Sequence, residues 1–187
     1  MRRGICATVM AAVVCGGLLG GAATAASAAA SGTVKVFVTP NNTTTPKHPG
    51  KVMLTGAIGD YGTVISATAA GKPTATKKKK TPYRLLRLKK GTILVNISTF
   101  QSKLTGAFSS PSGFNSTTCS QSIDVSGAVS VVSGTGAYAG ITGSLVMTGQ
   151  FAGITRRTKS GACTTKTTTP AAATYSSIIG SGTVTVP

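Results

Sequence analysis

Hydrophobic and polar residues alternate with a period of two along most of this chain. Between residues 122 and 132, Ile123, Val125, Val129 and Val131 hold odd positions, and most even positions hold a serine or an aspartate. Similar runs cover residues 33–39, 52–58, 144–151 and 182–186. This period is typical of strands with one buried face, and no 12-residue stretch has the spacing of an amphipathic helix. The pattern therefore predicts an all-β protein of about eight short antiparallel strands, in a barrel or sandwich.

The predicted strands are separated by recognisable turns. The apolar phase changes between Leu86 and Ile93 across Lys89, Lys90 and Gly91, which predicts a bulge or a tight corner. A second turn is expected at residues 59–62. Polar sequence predicts longer loops at residues 40–50, 69–82, 109–120 and 155–170.

The segment SGTGAYAGITG, residues 133–143, is the clearest turn signal. Its glycines are expected to supply positive φ: Gly134, Gly136, Gly140 and Gly143. Tyr138 and Ile141 are expected to be buried beneath the turn. The segment also matches the G-x-G-x-x-A pattern of dinucleotide sites, but neither a following helix nor an acidic residue about twenty positions on is present. We therefore interpret it as a structural hairpin.

The first 30 residues have the features of a secretory signal peptide. Arg2 and Arg3 precede an apolar stretch at residues 4–19, and cleavage is expected at Ala28, Ala29 or Ala30. The general secretory route is favoured, with twin-arginine export as the alternative. The mature protein is expected to be secreted or attached to the cell envelope. It divides into a strand with a Pro/Thr-rich loop (31–50) and a barrel (51–187).

Two of the four cysteines remain after removal of the leader. Cys119 and Cys163 form an even pair in an oxidising compartment, which predicts a disulfide. It would close a loop of about 45 residues and stabilise the fold by about 4 kcal/mol. Two buried free thiols are the alternative. A metal site is not expected, because two cysteines and one distant histidine lack zinc-ligand spacing.

Positive charge dominates the chain, which has 19 Lys and Arg against 2 Asp and no Glu. Loss of Arg2 and Arg3 with the leader leaves a mature net charge of +15. Such a surface attracts anionic wall polymers or lipid surfaces. The candidate contacts are Lys77, Lys78, Lys79, Lys80, Arg84, Arg87, Arg156 and Arg157. Specific nucleic-acid recognition is not expected, since Tyr83 is the one aromatic residue among the Lys77–80 and Arg84–87 cations.

Catalytic residue types are scarce. The single histidine, His48, lies in a predicted loop, so no Ser-His-Asp or Cys-His arrangement can be assembled. Asp60 falls in a predicted turn, where aspartate bonds locally to the backbone. Asp124 is expected to point outward, opposite to Ile123 and Val125. The sequence therefore predicts no catalytic residue, no cofactor and no metal, and favours a protein that is not an enzyme.

One ordered set of segments resembles a known family. The strand IDVSGAVSVV, the hairpin SGTGAYAGITG and the strand SLVMTGQF are similar to the allene oxide cyclase and dirigent-like barrel superfamily, over residues 51–187 and in the manner of its bacterial secreted members. The resemblance implies a calycin-like, eight-stranded antiparallel barrel, often trimeric, with a central apolar cavity. It also implies chemistry on an allene oxide or on phenoxy radicals, although the glutamate of the cyclases is absent here.

Five apolar residues are candidates for lining such a cavity: Val129, Val131, Leu145, Met147 and Phe151. They could equally fill a small barrel completely. The leading hypothesis is a basic, disulfide-stapled binding or envelope protein with a small apolar ligand. One alternative is a dirigent- or cyclase-like enzyme that steers a reactive apolar intermediate by shape. Another is a polyanion-binding surface protein or toxin.

Overall fold

Eight antiparallel strands close into a barrel in the computed structural model of this chain. The structure describes residues 29–41, 47–74, 81–109, 113–164 and 171–187. The elements are β1 (Ala30–Thr39), β2 (Gly50–Gly56), β3 (Asp60–Ala67), β4 (Tyr83–Leu88), β5 (Gly91–Asn96), α1 (Ser98–Ser109), β6 (Phe114–Asn115), β7 (Ser120–Gly136), β8 (Thr142–Ile154) and β9 (Ala173–Val186). The predicted all-β, eight-stranded antiparallel barrel is confirmed.

The barrel is an up-and-down meander. Each long strand pairs with its neighbours along the chain. β5 pairs with β7, although α1 and β6 come between them in the sequence, and β9 pairs with β1 to close the barrel. The two-residue strand β6 adds to β7 at one edge. β1 is therefore one of the eight barrel strands and not part of a separate segment before the barrel.

The alternating side chains sort to the two faces of the barrel wall. Along β7, Ile123, Val125 and Val129 are buried inside while the polar and small side chains between them are exposed. Each fully buried aliphatic side chain of this kind stabilises the fold by about 1.5–3 kcal/mol. A smaller apolar cluster of Ile65, Ala67, Leu85 and Leu94 is buried on the outer face of β3, β4 and β5.

The helix α1 corrects the expectation that no 12-residue helix is present. It spans 12 residues, and the backbone N–H of Ser98 donates to Oδ1 of Asn96 at 2.9 Å, which caps its start. Phe100 is buried in the core against Gly127 of β7, where an added Cβ would lie 2.7 Å from the Phe100 Cα. The helix therefore packs across one end of the barrel because β7 has no side chain at this point.

The two ends of the barrel differ in construction. At the closed end, short turns join β2 to β3, β4 to β5 and β7 to β8. At the open end lie the longer connections that follow β1, β3, β5 and β8, together with α1. The change of apolar phase at Lys89 and Lys90 is confirmed as a tight corner, because these two residues alone separate β4 from β5.

Candidate functional site

An apolar cavity lies inside the barrel at the open end. Its volume is about 100 Å³, and it opens to solvent at the mouth. Seven strands, the chain next to them and α1 contribute the side chains that line it: Val36, Val38, Pro40, Val64, Arg84, Leu86, Val95, Ile97, Phe100, Val129, Leu145, Met147 and Ile178. Among these described residues, Arg84 is the one that carries a charge.

Three of the five candidate lining residues lie in this cavity. Val129, Leu145 and Met147 are buried on its wall. Val131 is half-buried and packs against the core without lining the cavity. Phe151 packs edge-on against Phe108 of α1, with ring centroids 5.8 Å apart, and lines a separate pocket.

Arg84 is on the inner face of β4, which corrects the prediction that it belongs to the surface cations. It shares this face with Leu86 and Leu88, both of which pack against the core. Its Nη1 donates to the backbone carbonyls of Thr81 at 2.7 Å and Tyr83 at 2.9 Å. The alternation of Arg84 with Leu86 and Leu88 was the sequence signal for this inward position.

The surroundings of Arg84 contain no acidic partner. The chain has two acidic residues: Asp60 is bonded at the closed end, and Asp124 is exposed on β7. Burial lowers the pKa of Arg84 from its usual value, but a guanidinium stays protonated in proteins. The cavity therefore has apolar walls, and the positive charge of Arg84 lies beside Thr81 and Tyr83 at the open end.

Asp60 is the centre of a hydrogen-bond network that joins the three turns of the closed end. Its side chain is buried, with 6% exposure. Oδ1 accepts from the backbone N–H of Tyr61 (2.7 Å) and Lys89 (3.2 Å), and Oδ2 accepts from that of Lys90 (3.0 Å) and from the Tyr138 hydroxyl (2.6 Å). The predicted local backbone bond is the one to Tyr61, and the contacts to the other two turns were missed.

The network shifts the pKa values of both of its titratable groups. Burial raises the pKa of Asp60. The hydrogen bonds from Tyr138 and from the N–H groups of Lys90, Tyr61 and Lys89 lower it by a larger amount, so that the pKa falls to about 2. Burial, the hydrogen bond to Asp60 and the carboxylate charge all raise the pKa of Tyr138 above its usual value. At neutral pH, Asp60 is an anion that accepts from a neutral tyrosine, so this end performs a structural task.

The glycine-rich hairpin forms the largest turn of the closed end. Tyr138 and Ile141 are buried. Three of the four glycines have positive φ: Gly136 (63°), Gly140 (79°) and Gly143 (146°). Gly134 does not, and it is needed for a different reason, since a Cβ there would lie 2.1 Å from the carbonyl oxygen of Tyr138. The turn is also shorter than predicted, because β7 continues to Gly136.

The predicted disulfide between Cys119 and Cys163 is confirmed, with a Cα–Cα distance of 5.3 Å. It joins the start of β7 to the connection after β8. Arg157 belongs to the same structure, since its guanidinium donates to the carbonyl oxygens of Thr117 and Gly161. Its position is therefore fixed by backbone contacts to the segment before β7 and to the connection after β8.

The remaining candidate cations are on the surface or outside the described residues. Arg87 is exposed on the outer face of β4, and Arg156 is exposed after β8. Lys77, Lys78, Lys79 and Lys80 lie outside the described residues. His48 is exposed in the connection after β1. No group of three His, Cys, Asp or Glu side chains that could hold a metal ion occurs within the described part of the chain.

Comparison with known proteins adds no family to this geometry: no family model, curated protein or solved structure matches the chain. Membership of the allene oxide cyclase and dirigent-like superfamily therefore stays a prediction. Among the helical residues of the described ranges, no segment is both long and apolar enough to cross a bilayer.

Proposed function

We propose that this protein binds a small apolar molecule in the barrel cavity and does so without catalysing a reaction. The apolar lining of the cavity is the observation that carries this proposal. Ligand sites are typically concave, largely apolar and preformed, with a few polar groups that fix orientation. A ligand that covers the exposed part of this lining gains about 25 cal/mol for each Å² of apolar surface removed from water.

The construction of the two barrel ends supports ligand entry from one side. At the closed end, the hydrogen bond between Asp60 and Tyr138 links the turns and keeps this end of the barrel shut. At the open end, α1 covers the side nearest Gly127, while Val38 and Pro40 line the opposite rim. A small molecule would enter between α1 and the end of β1.

The leading test uses a neutral probe whose fluorescence rises in apolar surroundings, N-phenyl-1-naphthylamine. The wild-type protein is expected to bind it with saturable affinity. Val38→Phe places extra volume in the cavity mouth where the probe would lie, so binding should weaken roughly tenfold or more, which corresponds to at least about 1.4 kcal/mol. The matched control is Val146→Phe, because Val146 is 56% exposed on the outer wall.

Equal probe affinity in both variants and the wild type would place the probe elsewhere and contradict the proposal. Absence of saturable binding in the folded wild-type protein would also contradict it. Circular dichroism and thermal melts show that each variant has the same fold before it is compared.

We also propose that the protein is secreted and held at an anionic envelope surface. The disulfide supports an oxidising compartment. The described surface carries exposed cations such as Arg87 and Arg156, and its one exposed acidic side chain is Asp124. Co-sedimentation with vesicles containing phosphatidylglycerol should occur at low salt and fall steeply as salt rises. Binding that is insensitive to salt would contradict this part of the proposal.

The second candidate function is an enzyme that steers a reactive apolar intermediate by shape. Arg84 favours it, because a polar group in an apolar cavity can orient such an intermediate. Radical coupling of a phenolic monomer, assayed for product chirality with and without the protein, separates the candidates. A chiral excess supports the enzyme, and a racemic product supports a binding protein.

A further inference from the structure

We propose that the ligand of this cavity is an anionic amphiphile, whose carboxylate pairs with Arg84 at the rim while its apolar tail lies inside the barrel. This inference rests on the proposed binding function. It adds the chemical class of the ligand and the residue that selects it.

The position of Arg84 is set by the barrel wall. Arg84 is two residues before Leu86 on the same inner face, and its partner across the sheet is Val95, which also lines the cavity. An arginine near a strand end normally extends into water from the outer wall, as Arg87 does three residues further along the same strand. Arg84 instead extends the apolar inner face with a cation at its upper end.

The guanidinium has donors to spare. Nη1 donates to Thr81 and Tyr83, while Nε and Nη2 donate to no atom of the described residues. A guanidinium carries five N–H donors in a planar fork that fits the two oxygens of a carboxylate. The two backbone bonds also hold the group at the rim, so its geometry is set before a ligand arrives.

Charge balance favours an anionic head group. A cation in apolar surroundings is costly unless it is paired. Neither of the two acidic side chains of the protein reaches Arg84, since Asp60 is at the closed end and Asp124 is on the outer face of β7. A carboxylate on the ligand would supply the missing partner, whereas a neutral or cationic head group would leave Arg84 unpaired.

A purely structural role for Arg84 makes a different prediction. If its sole task is to hold the chain at Thr81 and Tyr83, its loss would weaken anionic and neutral ligands by the same factor. The ratio of the two affinities therefore separates ligand selection from support of the rim.

The experiment is calorimetric titration of the full folded protein with decanoate and with 1-decanol, which share a tail and differ in the head group. Salt of about 0.5 M screens the surface cations. The variants are Arg84→Gln and Arg84→Lys, and the matched control is Arg87→Gln, which removes the same charge from the outer face of the same strand.

Decanoate is expected to bind the wild type more tightly than 1-decanol. Arg84→Gln should weaken decanoate by roughly 10–100-fold, as expected for loss of a charged hydrogen-bond pair. Arg84→Lys, which keeps the charge but loses the fork, should give a smaller loss. Arg87→Gln should leave decanoate unchanged, and 1-decanol should bind all four proteins alike.

Equal affinity of the wild type for the two probes would overturn the inference, and so would equal loss of both probes in Arg84→Gln. In either case, binding of 1-decanol in the cavity would leave the proposed function standing. If neither probe binds the wild type, the proposed function fails as well. Should both Arg84 variants fail to fold, the comparison of decanoate with 1-decanol on the wild type still decides the question.

Discussion

The two ends of the barrel use charge in opposite ways. At the closed end, the carboxylate of Asp60 is buried and accepts four hydrogen bonds from three turns. At the open end, the guanidinium of Arg84 donates through one nitrogen to the backbone carbonyls of Thr81 and Tyr83 and meets no acidic side chain. A fully satisfied charge fixes a structure, whereas an unpaired charge beside an apolar cavity is available to a ligand.

The ends also differ in how their connections are held. The closed end depends on short turns and on close backbone approaches, such as that of Gly134 to Tyr138. The open end has long connections, two of which are joined by the Cys119–Cys163 disulfide. At this end a covalent bond, and not a short turn, holds two connections together.

Removal of the disulfide should have the largest effect on stability. The double variant Cys119→Ala with Cys163→Ala is expected to lose about 4 kcal/mol of unfolding free energy, because the unfolded chain gains loop entropy. Urea denaturation followed by circular dichroism measures this loss. Wild type with a reducing agent should show a similar loss, and a change below about 1 kcal/mol in both would contradict the assigned role.

Asp60→Asn should have the next largest effect. The amide keeps the size of the side chain but removes the charge and faces N–H groups with its own donors, so about 3 kcal/mol should be lost. The control is Asp124→Asn, which changes the other acid of the chain at an exposed position and should be nearly neutral. Equal urea midpoints for these two variants would show that the closed end does not depend on the network.

Acid should weaken the closed end in a defined pH window. The folded pKa of Asp60 is about 2 against a usual value of 3.8. Because the folded pKa is lowered, the stabilisation is complete above pH 3.8 and is lost as the pH falls towards 2. It amounts to about 2 kcal/mol.

Urea unfolding at several pH values tests this window. The difference in stability between wild type and Asp60→Asn should narrow as the pH falls through it. A constant difference down to pH 2 would mean that the carboxylate is not the titrating group.

Gly127→Ala should have the smallest of these effects and should act on the open end. The new Cβ would lie 2.7 Å from the Phe100 Cα, so α1 must shift, at a cost of about 1–2 kcal/mol. The shift of α1 should also change the affinity for the neutral naphthylamine probe, because Phe100 lines the cavity. Thermal melts and probe titration give the two readouts.

The control for this variant is Gly106→Ala on α1 itself. A Cβ at Gly106 would meet nothing within 4 Å. It should raise stability by about 0.5–1 kcal/mol through helix propensity. Equal behaviour of the two variants would argue against the docking of α1 on Gly127.

The period of two was enough to predict an all-β barrel or sandwich, because each strand buries a single face, and the family resemblance favoured the barrel. The helix α1 was missed because its apolar residues, Phe100, Leu104 and Phe108, span little more than two turns. Serine, threonine and Gly106 fill much of the remainder, and all are weaker helix formers than alanine. Tertiary packing of Phe100 against Gly127 therefore determines this helix more than its local sequence does.

The site residues were less accessible to sequence reasoning. The partners of Asp60 include Lys89, Lys90 and Tyr138, at sequence separations of 29, 30 and 78, so a local reading can find only the bond to Tyr61. The inward position of Arg84 follows from alternation with Leu86, but the neighbouring cations made the segment look like a basic surface. The absence of an acidic partner became visible only once both aspartates had been placed.

The most direct test of cavity binding is a crystal structure of the protein grown with decanoate. Electron density for the alkyl chain is expected between Leu86, Val129 and Met147, with the carboxylate within hydrogen-bond distance of the Arg84 guanidinium. An empty cavity, with decanoate bound to the outer surface cations instead, would contradict ligand binding inside the barrel.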